Sequence, residues 1–308
     1  MRPQLLDTPT PLHPAPRLAE ALGLRPGDLW LKRDDLGGIG AGGNKLRKLE
    51  VAIAEARAVG ADTLVTTGAA QSNHARLTAA VGARLGYDVV LVLGGAEPEH
   101  HRGNLLLDDL LGARLVWAGE DAGTDPAVLA AGTVAELEAE GRRVHLVPYG
   151  GTSPTTARGY ATAADELREA LPALAHVVVA VGSGGTMAGL VSVLGPERVL
   201  GVDTGAVDDA RRTVADLLDA MGHPTRAEDL RIDTAQVGAG YGHLARSTRT
   251  AVELVARTEG VLLDATYVGR AAAGLVAATA AGTIGPGEPT VLLHTGGLPG
   301  LLGHPDLG

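Results

Sequence analysis

The stretch Gly42-Gly43-Asn44-Lys45-Leu46-Arg47-Lys48-Leu49-Glu50 offers an amine for chemistry and opens an amphipathic segment with Leu46, Leu49 and Ile53 on one face. Two glycines keep the backbone thin, Asn44 is placed to cap a helix through its side-chain oxygen, and Lys45 then emerges at that helix's positive end. The dipole and any desolvation favour the neutral amine, the form in which a lysine attacks a carbonyl to make a Schiff base. Two plainer readings compete. A lysine at a helix start is commonly just solvated. A phosphate loop of the Gly-x4-Gly-Lys-Ser/Thr kind fails at two positions, because Asn44 stands where its lysine belongs and Leu46 offers no hydroxyl to magnesium.

Three further clusters carry polar chemistry. Gly182-Ser183-Gly184-Gly185-Thr186 makes an anion cup: glycines let backbone amides approach a phosphate, and the hydroxyls of Ser183 and Thr186 add donors at a helix start. A dinucleotide fingerprint is the alternative, but Met187 stands where its third glycine belongs, and a plain structural turn is the other. In Gln71-Ser72-Asn73-His74, Ser72 is either a helix cap or a hydroxyl able to relay a proton, and Asn73 offers an amide to a phenolate oxygen. His74 reads as a capping or solvated histidine, not as a base. Gly240-Tyr241-Gly242 and Ala265-Thr266-Tyr267-Val268-Gly269 hold two of only five tyrosines, which either meet a ligand or fill a core. The ten histidines show no metal spacing, so no metal is expected, and no Gly-x-Ser-x-Gly elbow is present.

The elements that must position these groups follow one rhythm. Short apolar runs at 29–33, 63–67, 89–93, 114–117, 144–147, 177–181, 199–203 and 291–293 read as strands. Helical patterns fall at 18–22, from 45 to about 59, after 74, and at 104–111, 126–140, 156–171, 208–221, 244–259 and 269–281. Such alternation predicts an α/β protein with mainly parallel sheets covered on both faces. The polar clusters at 68–74, 150–154, 182–186 and 294–297 all fall where a strand ends, the edge at which open parallel sheets bind ligands.

Composition bounds the rest. With 308 residues the chain can bury a large core, in one large domain or two. Phe is absent and aromatics total 2%, so Ala, Val and Leu must build that core. A net charge of −10 argues against a nucleic-acid partner. Cys is absent, which removes disulfides and thiolate catalysis. No run approaches the ~18 apolar residues of a membrane span and no apolar leader opens the chain, so a cytoplasmic protein is expected.

Taken together, these segments resemble the pyridoxal-phosphate enzymes of fold type II, in the group containing D-cysteine desulfhydrase and 1-aminocyclopropane-1-carboxylate (ACC) deaminase. The match extends through Lys32-Arg33-Asp34-Asp35-Leu36, the Lys45 segment, the Ser72 segment, Pro148 with 149–154, the 182–190 loop, Tyr241, 257–267 and His294-Thr295-Gly296-Gly297-Leu298-Pro299-Gly300. The resemblance implies two three-layer α/β/α domains of the tryptophan synthase β type: a larger cofactor-binding domain from 1–49 and 163–308, and a smaller inserted one at 50–162. It implies that Lys45 holds pyridoxal 5'-phosphate, that Asn73 meets its ring hydroxyl, and that Gly182, Ser183, Gly184, Gly185 and Thr186 hold its phosphate. Ser72, Asn73, His74, Tyr241 and Tyr267 would face a small amino-acid substrate, and the assembly would be a homodimer. ACC deaminases resemble the Tyr267 segment but carry an acidic residue after the tyrosine, where this chain has Val268. Thr295 sits where desulfhydrases place a hydroxyl near the pyridine nitrogen, and His74 also matches them. A neutral hydroxyl leaves the cofactor a weaker electron sink, suited to losing a good β-leaving group. The expected reaction is therefore β-elimination of sulfide from D-cysteine or a related amino acid, with Lys45 or Ser72 as base and a tyrosine assisting. ACC deaminase, a sulfo-lyase acting on cysteate and a catalytically silent ligand-binding homologue are the alternatives.

Overall fold

Runs such as Val177-Val178-Val179-Ala180-Val181 have no polar side to turn to water, and the chain buries them on both faces. In the computed structural model, which describes residues 2–119 and 125–307, ten strands form two sheets. The strands are β1 (Leu12–Pro14), β2 (Leu29–Arg33), β3 (Thr63–Ala69), β4 (Asp88–Gly94), β5 (Arg114–Trp117), β6 (Val144–Val147), β7 (His176–Val181), β8 (Val199–Asp203), β9 (Arg231–Asp233) and β10 (Thr290–His294). One sheet runs β1-β2-β10-β7-β8-β9, parallel except for β1 against β2; the other, β5-β4-β3-β6, is wholly parallel. The doubly covered α/β architecture expected from the strand–helix rhythm is the one observed.

Alternation along each strand feeds two cores. Val177, Val179 and Val181 pack with Met187, Leu190 and Leu218 on one side of the larger sheet, while Val178 and Ala180 pack with Leu263, Ala272 and Leu275 on the other. In the smaller sheet Leu64, Leu91 and Leu93 meet Leu46, Leu49 and Ile53 of helix Lys45–Ala58, and Val65, Val90 and Val92 face Ala130 and Leu137. The apolar face expected of the Lys45 helix is thus its buried face.

Some elements differ from expectation. The three-residue strands β1 and β9 are too short to show a period in sequence. The helix expected over 156–171 is three pieces, Pro154–Ala157, Arg158–Tyr160 and Ala161–Ala170. Gly159 lies in the middle piece because a Cβ there would sit 2.3 Å from the Arg47 carbonyl oxygen. The divisions expected at 49/50 and 162/163 fall inside helices Lys45–Ala58 and Ala161–Ala170. No described helix is long and apolar enough to cross a membrane.

Candidate active site

Lys45 is the first residue of its helix, and the helix is anchored from behind. Arg47, 1% exposed, donates from Nε and Nη2 to Asp34 at 3.0 Å each and from Nη1 and Nη2 to Glu166 at 2.8 and 2.9 Å. Thr10 Oγ1 and the Tyr160 hydroxyl also donate to Asp34, and Lys32 Nζ donates to Glu166 at 2.6 Å. Burial alone would raise the Asp34 carboxyl, but the charge and hydrogen bonds of Arg47, with Tyr160 and Thr10, hold it below its usual 3.8. Four stretches distant in sequence, at Thr10, Lys32 to Asp34, Arg47 and Tyr160 to Glu166, meet in this cluster, which fixes the end of the helix from which Lys45 projects.

On the opposite side Lys45 enters a cleft open to solvent, lined also by Lys48, Ser72, Asn73, Ser183 and Thr186. The side chain keeps some contact with the cleft's water, yet it is deep enough that desolvation lowers its ammonium to about 8. At pH 7 about one Lys45 in ten then carries a neutral, nucleophilic amine, against well under one in a thousand for a free lysine. Lys48, one turn on and 1% exposed, lines the same cleft and donates to Thr152 Oγ1 at 2.9 Å. Burial, and then the charge of Lys45, lower its ammonium well below the usual 10.5. None of the described residues lining the cleft is Asp or Glu. Two amines without a carboxylate make the cleft a receptor for an anion.

The 182–186 turn provides the rest of that receptor. Gly182, Ser183, Gly184 and Thr186 line the cleft; Gly184, at φ +83°, precedes helix Gly185–Leu194, whose free amides open there. Gly185 does not line the cleft, but a Cβ there would lie 2.8 Å from Thr152 Cγ2 and 3.0 Å from Lys48 Nζ. Ser183 Oγ and Thr152 Oγ1 are 2.7 Å apart. Asn44 does not cap its helix as expected: it has helical φ and ψ, no cap bond, and its Nδ2 donates to Thr186 Oγ1 at 3.0 Å. A residue already in the helical region cannot aim its side chain back at the first-turn amides, and here it ties the Lys45 helix to the anion turn instead.

Ser72, Asn73 and His74 start helix Asn73–Leu85 at the end of β3. Ser72 is both cap and cleft residue: its Oγ accepts from the Ala75 amide at 3.1 Å, and its proton has no acceptor among the described residues. Asn73 lines the cleft with its Oδ1 engaged by Asn104 Nδ2 at 3.0 Å. His74 is neither cap nor solvated; it is buried, with Nε2 at 2.8 Å from Thr66 Oγ1. Thr66 spends its only proton on the Val147 carbonyl, so His74 Nε2 carries the hydrogen in that contact. Burial, then Lys45 and Lys48, lower the His74 imidazole well below 6.5. It serves as a neutral wall.

Tyr241 and Tyr267 are brought together from 26 residues apart, their hydroxyls 2.6 Å from each other and both rings lining the cleft. Burial raises the Tyr241 phenol to about 12 and, with the Tyr241 neighbour, raises Tyr267 well above 10. The pair is a protonated donor chain. Asp264 stands behind it, accepting from the amides of Thr266, Tyr267 and Val268 at 3.0, 2.8 and 2.8 Å. Thr295 lines the cleft at the end of β10, and its carbonyl accepts from the Asn44 amide at 3.0 Å. All the expected site residues except Gly185 therefore share one cleft. Sequence reasoning assigned no role to Lys48, Thr152 and Tyr149, although Lys48 lies one helical turn from Lys45 and Thr152 falls in the strand-end cluster at 150–154.

A lysine whose ammonium is lowered to about 8, beside an amide-and-hydroxyl cup at the carboxyl ends of mainly parallel strands, is a donor set suited to an aldehyde bearing a phosphate. The chain belongs to the family described as pyridoxal-phosphate dependent enzyme, whose profile matches residues 4–296. It is 40% identical over 319 aligned residues to the D-cysteine desulfhydrase of Salmonella schwarzengrund, covering 98% of this chain and 96% of that protein. The D-cysteine desulfhydrase of Salmonella paratyphi B matches at 39% with the same coverage. A crystal structure of an ACC deaminase homologue superposes with a TM-score of 0.85 at 32% identity, covering 99% of this chain and 94% of that one. Threonine deaminase isoform 2 from Solanum lycopersicum, at 18% identity, shares the fold, with a TM-score of 0.67 over 99% of this chain and 85% of that one. The cofactor is pyridoxal phosphate, and the donor set fits it: an amine for the aldehyde and cations, hydroxyls and amides for the phosphate, with no competing acid among the described lining residues.

Proposed function

We propose that this protein is a lyase that takes D-cysteine, or a closely related small amino acid, with one water to pyruvate, ammonia and hydrogen sulfide. The observation that carries the choice is a cleft whose described lining contains no carboxylate. Bound pyridoxal phosphate supplies an electron sink for the pair left at Cα when its proton departs. Without an acid to keep the pyridine nitrogen protonated, that sink is moderate, and Thr295 offers only a neutral hydroxyl. A moderate sink suffices to expel a good leaving group such as sulfide and handicaps the opening of a cyclopropane ring.

Lys45 Nζ would hold the cofactor aldehyde, and the same amine, when free, would take the Cα proton. Ser72 is the alternative base; its hydroxyl proton, with no acceptor among the described residues, also suits it to hold the substrate carboxylate with Asn73. Ser183, Gly184, Thr186 and Lys48 bind the phosphate. The paired phenols of Tyr241 and Tyr267 remain protonated across the working range and hand a proton to the departing sulfur. His74 walls the substrate side. The proposal includes a cytoplasmic homodimer of two-domain subunits, 1–49 with 163–308 and 50–162, each built on one sheet.

Release of 2-oxo acid, as pyruvate from D-cysteine, L-cysteine and cysteate and as 2-oxobutyrate from ACC, measured side by side, tests the substrate. Turnover fastest with D-cysteine is expected, and faster turnover of ACC overturns the sink argument. Lys45→Ala should lose both the protein-bound visible absorbance and nearly all turnover.

A further inference from the structure

The amide of Asn73 is oriented by a chain of donors and acceptors that leaves it one arrangement. Arg76 is fully buried on the same helix, and its guanidinium can only donate. Its Nη1 donates to the carbonyls of Gly40 and Gly42 in the approach to Lys45, and its Nε donates to Asn104 Oδ1 at 3.0 Å. The other end of the Asn104 amide lies 2.9 Å from the Gln71 carbonyl, which can only accept. Reversing Asn104 would set N–H against N–H and oxygen against oxygen, so its orientation is fixed at both ends. One Asn104 Nδ2 hydrogen goes to Gln71, and the other goes to Asn73 Oδ1 at 3.0 Å. The oxygen of Asn73 is consumed, and its Nδ2, without a partner among the described residues, is the end left for the cleft.

We infer that Asn104 is a positioning residue that makes Asn73 a hydrogen-bond donor to the ring oxygen of the bound cofactor. That oxygen is anionic in the working form; an N–H stabilises it, whereas the Asn73 carbonyl oxygen would repel it. Asn104 itself is fully buried at the start of helix Asn104–Leu110 and is not among the described residues that line the cleft, whereas Asn73 is. The backbone amide of Asn104 also donates to Gln71 Oε1 at 2.9 Å, which keeps the helix start seated on the Ser72 loop. The inference rests on the assignment of Asn73 to the cofactor made above.

Asn104→Asp and Asn104→Ala separate orientation from packing. The aspartate can only accept, so it draws the Asn73 amide hydrogens towards itself and turns the Asn73 oxygen to the cofactor. The alanine merely unlocks Asn73 and leaves the cofactor to choose. Cofactor affinity, by equilibrium titration of visible absorbance, should fall roughly 10–100-fold in Asn104→Asp, the worth of a hydrogen bond to a charged group, and less in Asn104→Ala. The ratio of visible to near-ultraviolet absorbance of bound cofactor should shift in the same order. Equal effects of the two variants, or a larger effect of alanine, overturn the inference. The double variant Asn73→Ala/Asn104→Asp should match Asn73→Ala in spectrum and affinity; additive losses overturn it. Should Asn104→Asp fail to fold, Asn104→Ala and Asn73→Ala/Asn104→Ala are compared by the same criterion. Asn73→Ala alone checks the underlying assignment: an unchanged spectrum there removes the assignment, while a changed spectrum with silent Asn104 variants removes only the inference.

Discussion

Asp34→Asn tests the anchoring of the Lys45 helix. The Asp34 carboxylate is fully buried and receives Arg47 twice at 3.0 Å, Thr10 at 2.7 Å and the Tyr160 hydroxyl. An asparagine presents one oxygen and one NH2 to these donors, so one side of the pocket faces N–H against N–H. Removing one member of a buried ion pair costs roughly 3–5 kcal/mol. Arg47 keeps Glu166 at 2.8 Å, which puts the expected loss near the lower end, about 3 kcal/mol. For a chain of 308 residues that lowers Tm by roughly 5 °C. The pH dependence gives an independent check. In the folded protein burial is outweighed by Arg47, Tyr160 and Thr10, and Asp34 is held below 3.8; Glu166 is likewise held below 4.5, its burial outweighed by Arg47 and Lys32. A depressed carboxylate contributes stability that is complete above its unfolded value and is lost as pH falls through its folded value. The native protein therefore loses stability from about pH 5 downward, and Asp34→Asn should lose less over the same interval, by up to about 1.4 kcal/mol per pH unit. Denaturant unfolding at pH 7 and at steps down to pH 3 measures both. An unchanged midpoint at pH 7, or an acid slope equal to the native one, refutes the reasoning.

Lys48→Met should weaken cofactor binding roughly 10–100-fold through loss of a charge-assisted contact, while kcat of the cofactor-saturated protein stays within severalfold; unchanged affinity would remove Lys48 from the phosphate site. Ser72→Ala should cost about 1 kcal/mol of stability from the lost cap and a large part of turnover with cofactor still bound, whereas loss of the cofactor itself would make Ser72 structural. Because desolvation brings Lys45 to about 8, covalent capture of the cofactor aldehyde by cofactor-free protein, followed by stopped-flow absorbance, should speed up with pH and level off above about 8. A rate still climbing towards pH 10 would show an ordinary, solvated lysine.

Much of the fold could be read from local pattern because burial on both faces leaves a plain mark. The runs at 177–181 and 199–203 are apolar nearly throughout and that at 63–67 mixes only threonine with Leu and Val, and each became a strand of a mainly parallel sheet. The site was legible for a related reason: Ser72, Ser183 and Thr295 each lie in the loop that follows a strand's carboxyl end, where parallel topology gathers ligand groups. Strands β1 and β9 escaped because three residues cannot establish a period, and the break at Arg158–Tyr160 escaped because it answers to the Arg47 carbonyl, more than a hundred residues away.

The sequence by itself determined that this chain would be a parallel α/β protein carrying a lysine at a helix start and a glycine-rich anion turn, since propensity, periodicity and spacing act within a few residues. Only tertiary structure decided how those parts work on one another. Asn44 was free to cap a helix until Thr186 was brought within 3.0 Å of its amide. Lys48 is an ordinary cation until it shares a carboxylate-free cleft with Lys45. Desolvation, charge coupling and hydrogen-bond direction depend on neighbours that only the folded chain supplies.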